Sequence, residues 1–381
     1  MLADLSILAG RIRDFIAICA DEFTAAHRVD PNYQSHADAE FNGLALMLFT
    51  LQFKHNAAYR KICDARKISP AEVTHWSEIP AVPTAAFKEL ELTSLPPEAR
   101  THVFHSSGTT GQKPSRHFHN AESLAVYEAS ALTWFRFHLP PAQRLALLTP
   151  PPDQAPNSSL VHMFEIVRRS YSAPESSFLG CLAADQSWTL DFDTAVQALA
   201  EAGRKNESLL LLGTAFSFVH LLDHLAENKL RFQLPVESQV METGGYKNRS
   251  RVLPKDELHR LIEDRLGVPR ARITCEYGMS ELSSQAYDSA RSFDTEAPER
   301  KIVRQFELPP WARAQVISPE TGRAVSPGEI GLLRVHDLAN VFSVMAIQTD
   351  DLVVCRAEHF ELLGRAAESE PRGCSLMSRD S

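Results

Sequence analysis

The sequence predicts an α/β fold. A large core of mostly parallel sheet flanked by helices is expected over residues 1–300, a small β-rich unit over 301–365, and a flexible tail over 366–381. Three observations carry that prediction. Apolar runs of strand length alternate with helical periodicity between residues 145 and 277, the order that builds a parallel sheet covered on both faces. Several of those strands run into corners rich in Gly, Thr and charged residues, and such sheets hold ligands outside the carboxyl ends of their strands. From about residue 300 the pattern changes to short alternating strands broken by turns such as Pro319-Glu320-Thr321-Gly322 and Ser326-Pro327-Gly328, the mark of a small antiparallel unit.

The first 65 residues read as helices. Leu5, Leu8, Ile12, Phe15 and Ile16 recur at helical spacing, with Arg11, Arg13 and Asp14 off that face. Phe41, Leu44, Met47, Leu48 and Leu51 mark the buried side of a second helix over 38–54, and a third covers about 56–65. These are packing helices with no chemistry assigned. Ile79-Pro80-Ala81-Val82-Pro83 is a stiff extended connector, because each proline fixes φ and biases its predecessor away from helix. Val103-Phe104 is a short strand entering Ser106-Ser107-Gly108-Thr109-Thr110-Gly111-Gln112-Lys113, and residues 122–137 are helical.

Leu145 to Leu148 is a buried strand closed by Thr149-Pro150-Pro151-Pro152, followed by a helix over 160–169. A helix over 193–202 precedes the clearest buried strand, 208–212, which passes through Gly213-Thr214 into the apolar helix 215–225. A strand over 238–241 runs into Glu242-Thr243-Gly244-Gly245-Tyr246-Lys247, and a helix covers 255–266. A last strand enters Tyr277-Gly278-Met279-Ser280-Glu281. The glycine loop and these three corners are expected on one rim of one sheet, as the walls of one site. Beyond residue 300, strands are expected at 314–318, 331–335, 346–348, 352–354 and 360–363, ending at Gly364-Arg365. Residues 366–381 are polar and read as a mobile tail.

Composition excludes several classes. With 381 residues, 44% hydrophobic and 23% charged, the chain is an ordinary globular protein large enough for two domains. A net charge of −9 argues against a nucleic-acid partner, since phosphate contacts need a basic face. Asp4, Arg11, Arg13 and Asp14 interrupt any export signal, and no apolar run reaches membrane-spanning length. The six cysteines are scattered without CxxC spacing, which suggests neither a zinc site nor a disulfide framework. A cytoplasmic protein with reduced thiols and no membrane association is expected.

The loop from Ser106 to Lys113 can fold around an anion: glycines allow close backbone approach, amides and hydroxyls donate, and the ammonium neutralises charge. Two residues separate Gly108 from Gly111, and Lys113 lies two beyond Gly111, so this is not the common P-loop spacing. By composition the run fits a surface turn as well as a phosphate loop.

The order of these corners resembles the adenylate-forming superfamily of acyl- and aryl-CoA synthetases. Ser106 to Gly111 resembles its phosphate loop, and Tyr277-Gly278-Met279-Ser280-Glu281 its Tyr-Gly-x-Thr-Glu motif with Ser280 replacing Thr. Thr349-Asp350 resembles its Thr-Gly-Asp motif without the glycine, and Gly364-Arg365 the start of its hinge. Within the superfamily the chain resembles the acyl-protein synthetases of the LuxE type. The connector from Ile79-Pro80 to Phe87-Lys88, the Thr243–Lys247 corner and the tail from Gly364 to Leu376 carry that likeness. The tail looks like the short carboxyl tail that bears the family's acyl-accepting cysteine. CoA synthetases continue for about a hundred residues past the hinge, a compact domain by itself, whereas sixteen residues follow Arg365 here.

The resemblance implies ATP and Mg²⁺ as cofactors and a fatty acid or other small carboxylic acid as substrate. A substrate carboxylate would attack the α-phosphorus of ATP, giving acyl-AMP and pyrophosphate. Ser106, Ser107, Gly108, Thr109, Thr110 and Gly111 would hold the phosphates, with Lys113 adding charge and Glu281 holding Mg²⁺. Gly244, Gly245, Tyr277 and Gly278 would accommodate the adenine, with Tyr277 open to a second reading as a core aromatic. Asp350 would take the ribose hydroxyls, although Asp351 is an equally good carboxylate, and Arg365 would sit at the hinge. Lys247 would reach a phosphate or remain a surface lysine. His105 would contact the acyl carboxylate or cap its strand. Gly213 and Thr214 would line the substrate side, and His162 and Phe164 the acyl pocket. Cys374, with Arg372 favouring its thiolate, would receive the acyl group and hand it to an acyl reductase partner. The competing readings are a CoA ligase of the phenylacetate type and a catalytically inert adenylate-binding subunit.

Overall fold

A computed structural model describes residues 2–24, 31–106, 113–173, 175–183, 187–244, 253–289, 304–356 and 359–366. The described residues form two compact units. The first takes the chain up to Ser106, residues 113–137 and the segment from Met279 onward; the second takes residues 138–278.

The first unit opens with helices α1 (Ala3–Thr24), α2 (Pro31–His55) and α3 (Ala57–Ala65), as the periodicity predicts. Leu5, Leu8, Ile12, Phe15 and Ile16 of α1 and Phe41, Leu44 and Leu48 of α2 are buried. Asn56 caps α3 by accepting from the Tyr59 amide at 3.0 Å. The connector includes the short strand β1 (Val82–Pro83) and leads to α4 (Ala86–Glu89).

Strands β2 (His102–His105) and β3 (Arg116–His119) form an isolated antiparallel hairpin, followed by α5 (Ala121–His138). This corrects the expectation that the glycine loop leaves a strand of the parallel sheet. Ten residues separate His105 from Arg116, fewer than a parallel crossover needs, and β2 pairs antiparallel with β3.

The second unit is the parallel sheet the sequence predicts. Its elements are β4 (Arg144–Leu147), α6 (Ser159–Tyr171), β5 (Glu175–Phe178), β6 (Gly180–Leu182), β7 (Trp188–Leu190), α7 (Phe192–Lys205), β8 (Leu209–Thr214), α8 (Ala215–Glu227), β9 (Gln239–Thr243), α9 (Lys255–Leu266) and β10 (Ile273–Tyr277). Strands lie in the order β5-β4-β8-β9-β10, all parallel, with β6 and β7 as a separate hairpin. Leu209 to Leu212 are buried on both faces, which is why β8 reads as an unbroken apolar run. Strand β5, Glu-Ser-Ser-Phe at the end of this order, has no apolar run to announce it. Arg144 at the start of β4 is buried and paired with Glu175, Glu201 and Glu207 at 3.6, 3.0 and 2.6 Å.

The first unit closes with β11 (Ala286–Ser289), β12 (Gln305–Glu307), β13 (Ala312–Ile317), β14 (Ile330–Asp337), β15 (Ala346–Arg356) and β16 (His359–Arg365). Their order is β13-β14-β15-β16-β12-β11, antiparallel throughout, and β1 adds parallel to β15 through Val82 and Ile347. The two strands expected at 346–348 and 352–354 are one eleven-residue strand whose pairing shifts register between Leu352 and Val353. Gly364, opposite Leu352, has φ +130°, a conformation that L side chains rarely adopt.

Two buried histidines each oppose acidification of this fold. His336 on β14 lies edge-on to Trp76, with ring centroids 4.9 Å apart. Burial, with Arg334 nearby, pushes its pKa down to about 3. Burial likewise pushes His117 on β3 down to about 4, although the Ser280 carbonyl and Glu281 act in the opposite direction. Both folded values lie below the unfolded one, so the stabilisation is present above the unfolded pKa and is lost as pH falls towards the folded pKa. Between pH 7 and 5 each histidine is expected to remove about 2 kcal/mol. Between pH 7 and 5, urea unfolding should show His336→Phe losing about 2 kcal/mol less than the parent chain; equal losses in the two would contradict the assignment.

Candidate active site

In the first unit the expected site is built on the β2–β3 hairpin. The Ser106 amide donates to the Ser115 carbonyl at 3.3 Å, and the Ser115 amide to Ser106 Oγ at 2.9 Å. These bonds hold the two ends of the loop together. Ser107, Gly108, Thr109, Thr110 and Gly111 lie outside the described residues. Lys113, 51% exposed, pairs with Glu89 of α4 at 3.4 Å. An exposed pair of this kind contributes little, so the ammonium can exchange Glu89 for another anion at small cost. His105 ends β2 half-buried opposite Arg116, and burial followed by Arg116 lowers its pKa.

Ser115 then reaches Glu281. Its hydroxyl donates to Glu281 Oε1 at 2.5 Å, while Ser280 Oγ donates to Oε2 at 3.1 Å. Glu281 is 1% exposed. Glu281 is therefore a buried carboxylate and not one solvated on a loop. His117 Nδ1 lies 2.8 Å from the Ser280 carbonyl, the geometry of an N–H donor.

The segment after Glu281 is pinned from the other side. Asn340 Nδ2 donates to the carbonyls of Glu281 at 3.0 Å and Val344 at 3.1 Å, and its Oδ1 accepts from Ser283 Oγ at 2.6 Å. Asp337 accepts from the amides of Ser283 and Ser284 at 2.8 Å, from Ser284 Oγ at 2.7 Å and from the Ala339 amide at 3.0 Å. Gln52 of α2 donates to the Asn340 carbonyl at 2.7 Å and accepts from the Met345 amide at 3.0 Å. Sequence reasoning missed Ser115, His117, Gln52, Asp337 and Asn340. The available signal was the polar side chains Asp337, Asn340 and Ser343 in the otherwise apolar run 337–347.

A third group lies on β15 and β16. Arg365 Nε sits 3.4 Å from Asp351 Oδ1, and the two are register partners. The Asp351 amide donates to Thr349 Oγ1 at 3.1 Å. Asp350 is more exposed than Asp351, and its carbonyl accepts from the Ala366 amide at 3.0 Å.

In the second unit Gly213-Thr214, Thr243-Gly244 and Tyr277-Gly278 all follow the carboxyl ends of adjacent parallel strands, as three of the four expected corners. Thr214 caps α8 by accepting from the Ser217 amide at 3.1 Å. A Cβ on Gly213 would meet Leu148 Cβ at 2.9 Å and Phe218 at 3.2 Å, so the glycine serves core packing. Phe164 is buried. Gly244 has φ +68°, the left-handed turn that lets the chain leave β9. The Thr243 hydroxyl donates to Glu276, whose carboxyl burial pushes up to about 7. Tyr277 is buried at the end of β10. Gly245, Lys247 and Cys374 lie outside the described residues.

Among the described residues no helix is long and apolar enough to cross a membrane.

The profile of the LuxE acyl-protein synthetases matches residues 25–380. The chain is 25% identical over 346 residues to the long-chain-fatty-acid–luciferin-component ligase of Aliivibrio fischeri, covering 86% of this chain and 85% of that one. It is 21% identical over 339 residues to the ligase of the same name from Vibrio harveyi, covering 86% and 84%. The solved structure of 2-hydroxyisobutyryl-CoA ligase with 2-HIB-AMP and CoA matches with a TM-score of 0.66 at 14% identity, over 89% of this chain and 70% of that one. At that identity the likeness is one of fold.

Proposed function

The chain belongs to the LuxE family of acyl-protein synthetases, and from that membership we propose that it activates a long-chain fatty acid with ATP and carries the acyl group on its own cysteine. The observation that carries this reading is the bond chain from the loop ends to a buried acid. Ser106 is bonded to Ser115, and Ser115 to Glu281. A phosphate-binding loop and a metal-binding carboxylate have to be held together for phosphoryl chemistry, because catalysis there is mostly positioning and charge neutralisation.

The donor set suits Mg²⁺, a hard cation that takes carboxylate oxygens. Glu281 is a carboxylate whose two oxygens each accept from a serine hydroxyl, a neutral donor that can turn away from a cation. When bound, the cation offsets the negative charge of the ATP phosphates. Lys113 adds a second positive charge after leaving Glu89. Ser106 and the loop residues Ser107 to Gly111 donate to phosphate oxygens. The fatty carboxylate oxygen attacks the α-phosphorus, the bond to the pyrophosphate oxygen breaks, and acyl-AMP and pyrophosphate result. The Cys374 thiolate then attacks the acyl carbon and AMP leaves, giving a thioester ready for transfer to an acyl reductase.

Of the two adjacent carboxylates, Asp351 is the better candidate for the ribose hydroxyls. Its ion pair with Arg365 supports this, since it orients the carboxylate without external help. Asp351→Ala should raise the KM for ATP about tenfold or more, by loss of charge-assisted hydrogen bonds, and Asp350→Ala should leave it near the parent value. The reverse pattern would assign the role to Asp350.

Incubation with ATP, Mg²⁺ and labelled fatty acids of graded length tests the whole reading. A hydroxylamine-labile label on the protein, accompanied by pyrophosphate and lost in Cys374→Ser, is expected. Acyl-CoA formation with an unlabelled protein would overturn it.

A further inference from the structure

Three ligand-type side chains meet inside the second unit, away from any motif. Glu242 is the fourth residue of β9, Cys275 the third of β10, and the two are register partners in a parallel pair. Their side chains therefore project to the same face of the sheet. His259 lies on α9, on the same side of that helix as the buried Leu258, Ile262 and Leu266. Glu242, His259 and Cys275 are 2%, 1% and 0% exposed. Their ligand atoms converge: Cys275 Sγ is 2.8 Å and His259 Nε2 3.3 Å from Glu242 Oε1, and Sγ and Nε2 are 3.7 Å apart.

Aliphatic side chains at these positions would pack β9 and β10 under α9 at no electrostatic cost. Here the buried carboxylate of Glu242 accepts from the Cys275 thiol and meets His259 Nε2, so the three groups compensate one another in part. Lys255 lies 3.4 Å from Glu242 Oε1, with its side chain 42% exposed. A divalent cation would compensate them more completely.

We propose that Glu242, His259 and Cys275 form a zinc site that staples α9 to the β9–β10 pair. Carboxylate, imidazole and thiolate are the donor types zinc takes, and tetrahedral bonds of about 2.0–2.3 Å separate ligand atoms by roughly 3.3–3.7 Å. Two of the three separations already fall in that range, and the Cys275–Glu242 contact of 2.8 Å has to open by about 0.8 Å to reach the sulfur–oxygen value. Binding releases one proton, from the Cys275 thiol to solvent, and leaves one S–Zn bond in its place. Two anionic ligands then cancel the 2+ charge, so the buried set is neutral and Lys255 moves outward. A water completes the fourth position. The site sits beside the strand ends that carry Thr243-Gly244 and Tyr277. It is structural, and it holds those corners in register.

Cobalt(II) added to chelator-treated protein tests this. One equivalent should produce a thiolate-to-cobalt charge-transfer band that zinc abolishes, and zinc should raise the Tm of the treated chain. The band should vanish in Cys275→Ser and persist in Cys355→Ser. Should Cys275→Ser fail to fold, alkylation of the parent chain mapped by mass spectrometry decides: zinc should protect Cys275 in partially denatured protein. Absence of the band and of any zinc effect on Tm, or a band unchanged in a folded Cys275→Ser variant, would overturn the proposal and leave a hydrogen-bonded carboxylate in its place.

Discussion

Glu281→Gln is expected to slow acyl-adenylate formation by about two to three orders of magnitude, the typical cost of removing a group that stabilises developing charge. The amide keeps the shape of the side chain, and its oxygen can still accept from one serine. The negative charge is lost. ATP-dependent pyrophosphate exchange measured across a Mg²⁺ titration should show a lower maximal rate and a weaker apparent Mg²⁺ affinity. Unfolding by urea should change much less. Ser115→Ala is the informative companion: it leaves the carboxylate in place and removes only the 2.5 Å bond to it. It should cost about tenfold or less, in line with one lost hydrogen bond of about 1–1.5 kcal/mol. A Glu281→Gln variant with parent-like exchange at every Mg²⁺ concentration would remove the metal role from this residue.

Asp337→Ala should be the most destabilising single change near the site. The carboxylate is fully buried and accepts four hydrogen bonds, three of them from backbone amides of Ser283, Ser284 and Ala339. Alanine would leave those donors without an acceptor in a place water does not reach. A loss of about 3–5 kcal/mol in urea unfolding is expected. Asp337→Asn retains one acceptor oxygen and should lose markedly less. Because Ser283 and Ser284 directly follow the Glu281 turn, residual activity in the alanine variant should also show a raised Mg²⁺ requirement. Equal stability of the two variants would mean that the carboxylate is not the acceptor those amides depend on.

Periodicity alone located the long helices. Residues 255–266 are helical as expected, and the others differ only at their ends, because apolar spacing marks the buried face but not the last turn. Short strands were harder. Ala286–Ser289 and Gln305–Glu307 are too brief to show alternation, and they become strands only by pairing with each other and with β16. The corners Gly213-Thr214, Thr243-Gly244 and Tyr277-Gly278 were legible because a strand turning into a loop needs glycine and small polar residues whatever it binds.

By itself the sequence determined the α/β class and the family, since both rest on local composition and on motif order along the chain. Tertiary structure decided what depends on residues far apart in sequence. It set the glycine loop on an isolated hairpin rather than on the parallel sheet. It brought Ser115 to Glu281 across 166 positions and Asn340 to the Glu281 backbone across 59. It gathered Glu242, His259 and Cys275, which share no motif spacing, into one buried cluster. A hydrogen bond or a coordination sphere is specified by distances of about 3 Å in space, and separation along the chain carries no information about those distances until the fold has formed.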